Sequence, residues 1–390
     1  MTAPRLLGVG EALAAYLRRL EGILKPPGEE ELPVLEALGR VLAQDVVAPV
    51  DLPPFDRATM DGYAVRAQDT FGARQDRPVR LRLVGGVRVG QDASSIRLGP
   101  GECVEVSTGS MLPQGADAVV RKEHARPSGD EVEIYVPVTP GSCVDKAGHD
   151  ARAGQVVLER GRMLRAPDVA MLLALGITSV RVFRRPVVGV LSVGDELVDA
   201  SEPLGPGKVR DVDRPMVMLL ARSLGVETLD LGIAPDDVEA IRAILSRGLE
   251  ACDALITTGG VSVGRSDLVV EALKGLGDAE VVVHRVAMRP ARPVALSLAR
   301  GKPVLSLPGP PVACYLAFQV FARPVLLRLM GVGSSYEPIW PTVRARLVAR
   351  VPSRVGLTDL VRLRLYLGPG GELLAEPVAM RGSGVLSTLV

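Results

Sequence analysis

Val187-Val188-Gly189-Val190-Leu191-Ser192-Val193-Gly194-Asp195-Glu196-Leu197 runs almost without polar interruption and then breaks into a glycine and two carboxylates. A strand this evenly apolar has both faces covered, as a strand inside a parallel sheet does. The texture returns at 254–258, which ends in Gly259-Gly260, and at 303–307, which ends in Pro308-Gly309. Between these runs lie helical periods near 216–224, 238–249 and 268–276; Val238, Ile241, Leu245 and Leu249 share one face of the middle one. Apolar strands alternating with amphipathic helices predict a doubly wound parallel sheet, with ligands beyond the carboxyl ends of the strands.

Each of those strand ends carries a loop with two readings. In the first, Ser192 and Gly194 lead to Asp195 and Glu196, which could face Mg²⁺ or a ligand hydroxyl, or could simply favour a helix start. In the second, Gly259, Gly260, Ser262 and Gly264 would let backbone N–H groups and hydroxyls approach phosphate. Asp267 beyond them reads equally as a metal ligand or a helix cap. In the third, Pro308 and Gly309 feed a long helix whose start would suit an anion, with Arg289 and Arg292 as counter-charges. Pro at a helix start is also common for conformational reasons alone.

Outward from this core, a helical period (Leu13, Leu17, Leu20, Leu24) opens the chain, and a second short helix is expected over 34–43. Residues 46–138 alternate valine-rich runs with proline and glycine, a β-rich module. A helix over 166–175 closes at Gly176, and alternating strands end the chain after 335. The 390 residues are 47% hydrophobic and 23% charged, which excludes a mainly disordered chain. A net charge of +1 and 3% aromatics give no footing for nucleic-acid binding. Cys103, Cys143, Cys252 and Cys314 are scattered, as are His124, His149 and His284, so neither a disulfide framework nor a histidine metal centre is expected. Arg323, Pro324 and Arg328 interrupt the longest apolar stretch, and Glu11, Arg18 and Arg19 the N-terminal one. A soluble cytoplasmic protein with no membrane partner is expected.

At its loops the chain resembles the molybdopterin molybdenumtransferases, the family of molybdenum-cofactor synthesis that includes the gephyrin E domain. The resemblance is carried by Leu52-Pro53-Pro54-Phe55-Asp56-Arg57-Ala58-Thr59-Met60-Asp61-Gly62-Tyr63-Ala64-Val65, by Ser107-Thr108-Gly109, by 112–119, and by the three α/β loops in the family's order. It implies a mixed α/β multidomain fold: a discontinuous helical domain (1–48 with 142–183), a β-rich inserted domain (49–141), an α/β molybdopterin-binding domain (184–331) and a small β-barrel-like C-terminal domain (332–390). Relatives usually continue for another strand pair beyond Gly382-Ser383-Gly384, so that last domain is expected to be short.

The implied reaction converts adenylylated molybdopterin and molybdate, with Mg²⁺, to molybdenum cofactor and AMP. The implied assembly is a homodimer with a shared cleft, in contact with the molybdopterin adenylyltransferase. By resemblance, Asp61, Thr108, Glu196, Asp236 and Asp267 are catalytic, and Glu196 and Asp267 hold Mg²⁺. Arg289 and Arg292 meet the anionic substrate, Arg362 and Ser383 are linked to function, and Asp150 belongs to the helical domain. Asp61 also reads as part of a tight Asp-Gly turn, and Arg362 as the solvated face of an alternating strand. The chain departs from the family pattern at Arg292 (usually lysine), Pro310 and Asp213 (usually asparagine) and Val193 (usually threonine). Pro310 and the short tail keep open a catalytically weak molybdopterin-binding or scaffold paralogue; a tungstate-inserting version is a further alternative.

Overall fold

The computed structural model describes residues 6–261, 267–333, 342–379 and 384–390. The chain forms two compact units: Met1–Gln44 with Arg160–Arg165 and Ser179–Val390, and Asp45–Glu159 with Ala166–Thr178.

The first unit is built on a six-stranded sheet of β1 (Val187–Val193), β2 (Glu227–Ala234), β3 (Ala254–Gly259), β4 (Ala279–His284), β5 (Ala295–Ala299) and β6 (Lys302–Leu307), in the order β2-β1-β3-β6-β5-β4. The helices are α1 (Asp213–Ser223), α2 (Val238–Ala251), α3 (Leu268–Lys274) and α4 (Pro311–Leu329). Apolar continuity has a direct packing cause. Val188 and Val190 of β1, Ile256 of β3 and Leu305 of β6 enter one core with the helix Val9–Leu20, α1 and α4. Leu191 and Val193, Leu255 and Val304 point the other way, into a core with α2 and α3. Both strand faces are therefore dry, as period-two geometry requires of a covered sheet. On the first face the Tyr16 hydroxyl donates to the Ser297 carbonyl at 2.7 Å, and burial pushes its pKa up.

Strands β2, β1, β3 and β6 are parallel, but β5 runs antiparallel to β6 and to β4. The expected parallel sheet is present in these four strands, and the antiparallel β5 is an addition to it. Arg300 (φ 51°) and Gly301 (φ 69°) form a two-residue hairpin between β5 and β6, with the left-handed conformations such a turn needs. Helix α4 is the one helix among the described residues long and apolar enough to cross a membrane, and Ala313, Cys314, Ala317, Phe318 and Phe321 sit in the core instead. It starts at Pro311 and contains a π-helical stretch, Phe318–Ala322. The helix expected over 34–43 is a single 3₁₀ turn, Val34–Glu36. Extended pairing wins there: the Leu42 and Ala43 N–H groups donate to the Arg162 and Arg181 carbonyls at 3.0 Å each. At the C-terminal end Arg346–Leu347, Leu373–Ala379 and Arg362–Leu367 form a three-stranded sheet.

The second unit holds a six-stranded sheet ordered Ala118–Arg121, Gly62–Val65, Glu102–Val106, Val79–Val87, Glu131–Ile134, Ala125–Ser128. Tyr63 and Val65 face one core while Ala64 faces another. Gly62 permits the pairing: a Cβ there would lie 1.9 Å from the Val120 carbonyl oxygen. The helix Ala166–Ala174 ends before Gly176, whose φ of 75° suits a glycine stop.

Candidate functional site

The carboxyl ends of β1, β3 and β6 meet through glycines. A Cβ on Gly259 (φ 77°) would lie 2.3 Å from the Val193 carbonyl oxygen, and one on Gly309 3.4 Å from the Gly259 Cα. Gly260 (φ 66°) is closed to a side chain by Val269 and Val193. Gly194 leaves room for the Glu196 carboxylate to fold back over it. The segment after β1 is held to the segment before α1, with the Val209 N–H donating to the Glu196 carbonyl (2.8 Å) and the Asp211 N–H to that of Val198 (2.9 Å).

These contacts enclose a cavity of about 480 Å³ walled by Glu196, Asp211, Asp213, Thr258, Gly259 and Pro310. Beneath it, the Ser192 hydroxyl donates to Asp211 Oδ1 at 2.9 Å and sits 2.8 Å from the Thr258 hydroxyl. Asp211 also accepts from the Arg214 backbone N–H at 3.2 Å and faces the Arg214 guanidinium at 3.1 Å. Arg214 in turn meets Asp199 at 2.6 Å and Asp230 at 2.9 Å. Asp213 lacks such support. It is 6% exposed, and its Oδ1 has no hydrogen-bond partner. Burial, with the neighbouring Asp211 charge, pushes its pKa up to about 7.

A second cavity of about 710 Å³ lies on the other side of the Pro308-Gly309-Pro310 turn; Pro310 lines both. Its charged walls are Arg289, Arg292, Arg354, Arg362 and Asp359, with Pro308 beside them. Asp359 is taken by Arg289 and by the Ser353 hydroxyl (2.6 Å), and the Ser353 hydrogen bond, with Arg289, holds its pKa low. No carboxylate pairs with Arg292, Arg354 or Arg362 among the described residues, and Arg362 Nε is buried without a hydrogen-bond partner. Ala291 in this wall has φ 79°, a left-handed conformation that strains a residue with a Cβ.

The remaining sequence-derived candidates lie elsewhere. Asp267 borders a third hollow with Glu271, Lys274 and His284, its carboxylate 2.6 Å from His284 Nε2 and 3.6 Å from Arg285. Glu196 and Asp267 thus stand in separate cavities, and no three His, Cys, Asp or Glu side chains converge to hold a metal among the described residues. Among the described residues, then, Glu196 and Asp267 do not come together as one Mg²⁺ site. Asp236 is exposed and its N–H donates to Asp195 Oδ1 at 3.1 Å; the cap of α2 is Asp237, which accepts from the Ala240 N–H at 2.8 Å. In the second unit Asp61 and Thr108 meet directly: Asp61 Oδ1 accepts from the Thr108 N–H (2.7 Å) and hydroxyl (2.8 Å), which hold its pKa low. Asp150, also in that unit, is exposed, its N–H donating to the Leu52 carbonyl at 2.8 Å. Ser262, Gly264 and Ser383 lie outside the described residues. Thr258, part of the second glycine loop, also walls the smaller cavity, as does Asp211, and Arg354 walls the larger one; Asp211 and Arg354 belong to no motif that marks them in the sequence. Asp213 stood out only as a departure from the family pattern.

Two family models match the chain: "MoeA N-terminal region (domain I and II)" over residues 7–176 and "Probable molybdopterin binding domain" over 189–328. The chain is 35% identical to the molybdopterin molybdenumtransferase of Bacillus subtilis, covering 93% of this chain and 84% of that protein. It is 37% identical to molybdopterin molybdenumtransferase 2 of Mycobacterium tuberculosis, covering 79% and 76%. A crystal structure of the MoeA molybdopterin biosynthesis protein from Pyrococcus horikoshii superposes with a TM-score of 0.80 at 33% identity, covering 99% and 93%. By fold and by kinship over nearly its whole length, the chain belongs to the molybdopterin molybdenumtransferase family.

Proposed function

We propose that this protein inserts molybdate into adenylylated molybdopterin, yielding molybdenum cofactor and AMP. The observation that carries the reading is the division of charge across the Pro308-Gly309-Pro310 turn, with unpaired arginines on one side and carboxylates on the other. Molybdate is a compact dianion, and Arg292, Arg354 and Arg362 offer it convergent N–H donors with little opposing charge. Carboxylates and hydroxyls on the far wall suit the uncharged, donor-rich parts of the larger substrate. Binding the two substrates on either side of one turn supplies proximity, the main contribution such a site makes to attack on a phosphoanhydride.

Asp61 and Thr108, held together in the second unit, belong in this reading to the cleft of a partner subunit in a homodimer. Asp236 and Asp267 keep a catalytic assignment in this reading, Ser262, Gly264 and Ser383, which lie outside the described residues, a substrate-binding one, and Asp150 a place in the helical domain. The four-domain division, a cytoplasmic location and delivery of substrate by the molybdopterin adenylyltransferase are parts of the same reading. A Mg²⁺ requirement is assigned to the substrate's phosphates, where a divalent ion offsets charge, rather than to a protein site.

The test is direct. Purified protein incubated with adenylylated molybdopterin, molybdate and Mg²⁺ should release AMP and form cofactor. An absence of AMP release overturns the assignment. Tungstate in a parallel arm shows which oxyanion is used.

A further inference from the structure

Asp211 and Asp213 reach the acidic cavity within one turn of the start of α1, yet only one of them is held. Asp211 is fastened by Ser192 and Arg214, whereas Asp213 is more than nine-tenths buried with Oδ1 unpartnered. A buried carboxyl oxygen without a partner is an exception that calls for an explanation, and a ligand donor entering the cavity that Asp213 lines supplies one. We propose that Asp213 is a specificity-determining residue that binds the pterin ring of the substrate, its carboxylate accepting the adjacent ring N–H and exocyclic amine of the aminopyrimidinone edge. This inference rests on the function proposed above and names the part of the substrate that enters this cavity.

Three features select that part. Asp211 is neutralised by Arg214, and Glu196 and Asp213 face the lone Arg210 on the walls, so the cavity has no surplus of positive charge to hold phosphate or oxyanion groups and a neutral donor edge is favoured. A carboxylate presents two parallel acceptors, and the aminopyrimidinone edge presents two parallel donors at matching spacing, the bidentate arrangement that gives both strength and orientation. The cavity volume of about 480 Å³ admits a fused bicyclic ring. Burial that holds the empty carboxyl partly protonated near neutrality is then reversed by the two incoming donors, so the proton leaves as the ring binds.

Steady-state AMP release by wild type, Asp213→Asn and Asp213→Ala is the test, read alongside quenching of 6-hydroxymethylpterin fluorescence and binding of AMP. Losing the bidentate pair in Asp213→Ala should raise KM for adenylylated molybdopterin about tenfold and weaken the pterin to a similar extent, with a smaller effect on kcat. Asp213→Asn, which keeps one acceptor, should fall about midway, and AMP affinity should change by less than about twofold in either variant. Asp213→Ala that melts like wild type and keeps its KM overturns the assignment, as does a loss of AMP binding equal to the loss of pterin binding, which would place the nucleotide in the cavity. If wild type releases no AMP, the function fails first, and the fluorescence titration alone decides Asp213: equal quenching by wild type and Asp213→Ala refutes it.

Discussion

The cavities on either side of Pro310 use opposite electrostatic designs. On the arginine side, Arg289 is neutralised by Asp359 while the other three guanidiniums stay open, a surplus of positive charge that is always present because arginine does not titrate near neutrality. On the carboxylate side, Asp211 is spoken for and Asp213 sits near its midpoint at neutral pH, so the charge there depends on what is bound. One wall attracts at any pH; the other responds. A ligand carrying an oxyanion and a donor-rich ring can therefore be oriented by charge alone, and each wall can be altered without touching the other.

Removing the responsive charge should have the largest effect, and on stability. Wild-type Asp213 has a folded pKa of about 7 against 3.8 as its ordinary value. Below about pH 4 both folded and unfolded chains hold the proton and no penalty exists. As pH rises towards 7 the unfolded chain ionises first, so stability is lost, and above 7 the folded state carries the buried charge at a constant cost. Asp213→Asn should thus be more stable than wild type by an amount that grows from pH 4 to 7 and then levels off, on the order of 4 kcal/mol. Thermal unfolding across pH measures this, and a pH-independent difference would show that burial is not the cause.

Reversing the permanent charge comes next. Arg292→Glu should raise KM for molybdate about a hundredfold, roughly 2.7 kcal/mol, while leaving pterin binding within about twofold. Parallel losses for both ligands would mean that the two walls do not act separately. Ala291→Gly relieves a left-handed alanine at some entropic cost and should add about 0.5–1 kcal/mol of stability; a loss on chemical denaturation would refute strain in that turn. Smallest of all, raising ionic strength from about 0.05 to 0.5 M should raise KM for molybdate a few-fold and spare pterin binding, because the dianion is held by charge whereas the pterin edge is uncharged.

The strands, the major helices and the three loop positions were readable because dry parallel strands leave an unbroken apolar signal that ends in glycine. The β5–β6 hairpin was not, since Ala295–Ala299 has the same apolar texture and its turn uses Arg300 in a conformation sequence rules reserve for glycine or asparagine. Asp61 and Thr108 each stand out in the sequence only through motif resemblance; 47 residues separate them, and the sheet register of Gly62 with Val106 brings them to one edge. Asp213 was hidden by its position. A carboxylate at the first residue of a helix looks like dipole complementation, and only three-dimensional burial shows that its charge is unsupported. Glu196 and Asp267 both follow sheet strands in the sequence, and only tertiary packing shows that the two strand ends border different hollows.

Pro310, which touches both cavities, has a ring in place of a flexible side chain and no N–H to lend to either. It can neither swing aside nor change allegiance between ligands. In the proposed reaction it would serve as a fixed spacer between the two substrates, a rigid mark that neither can displace.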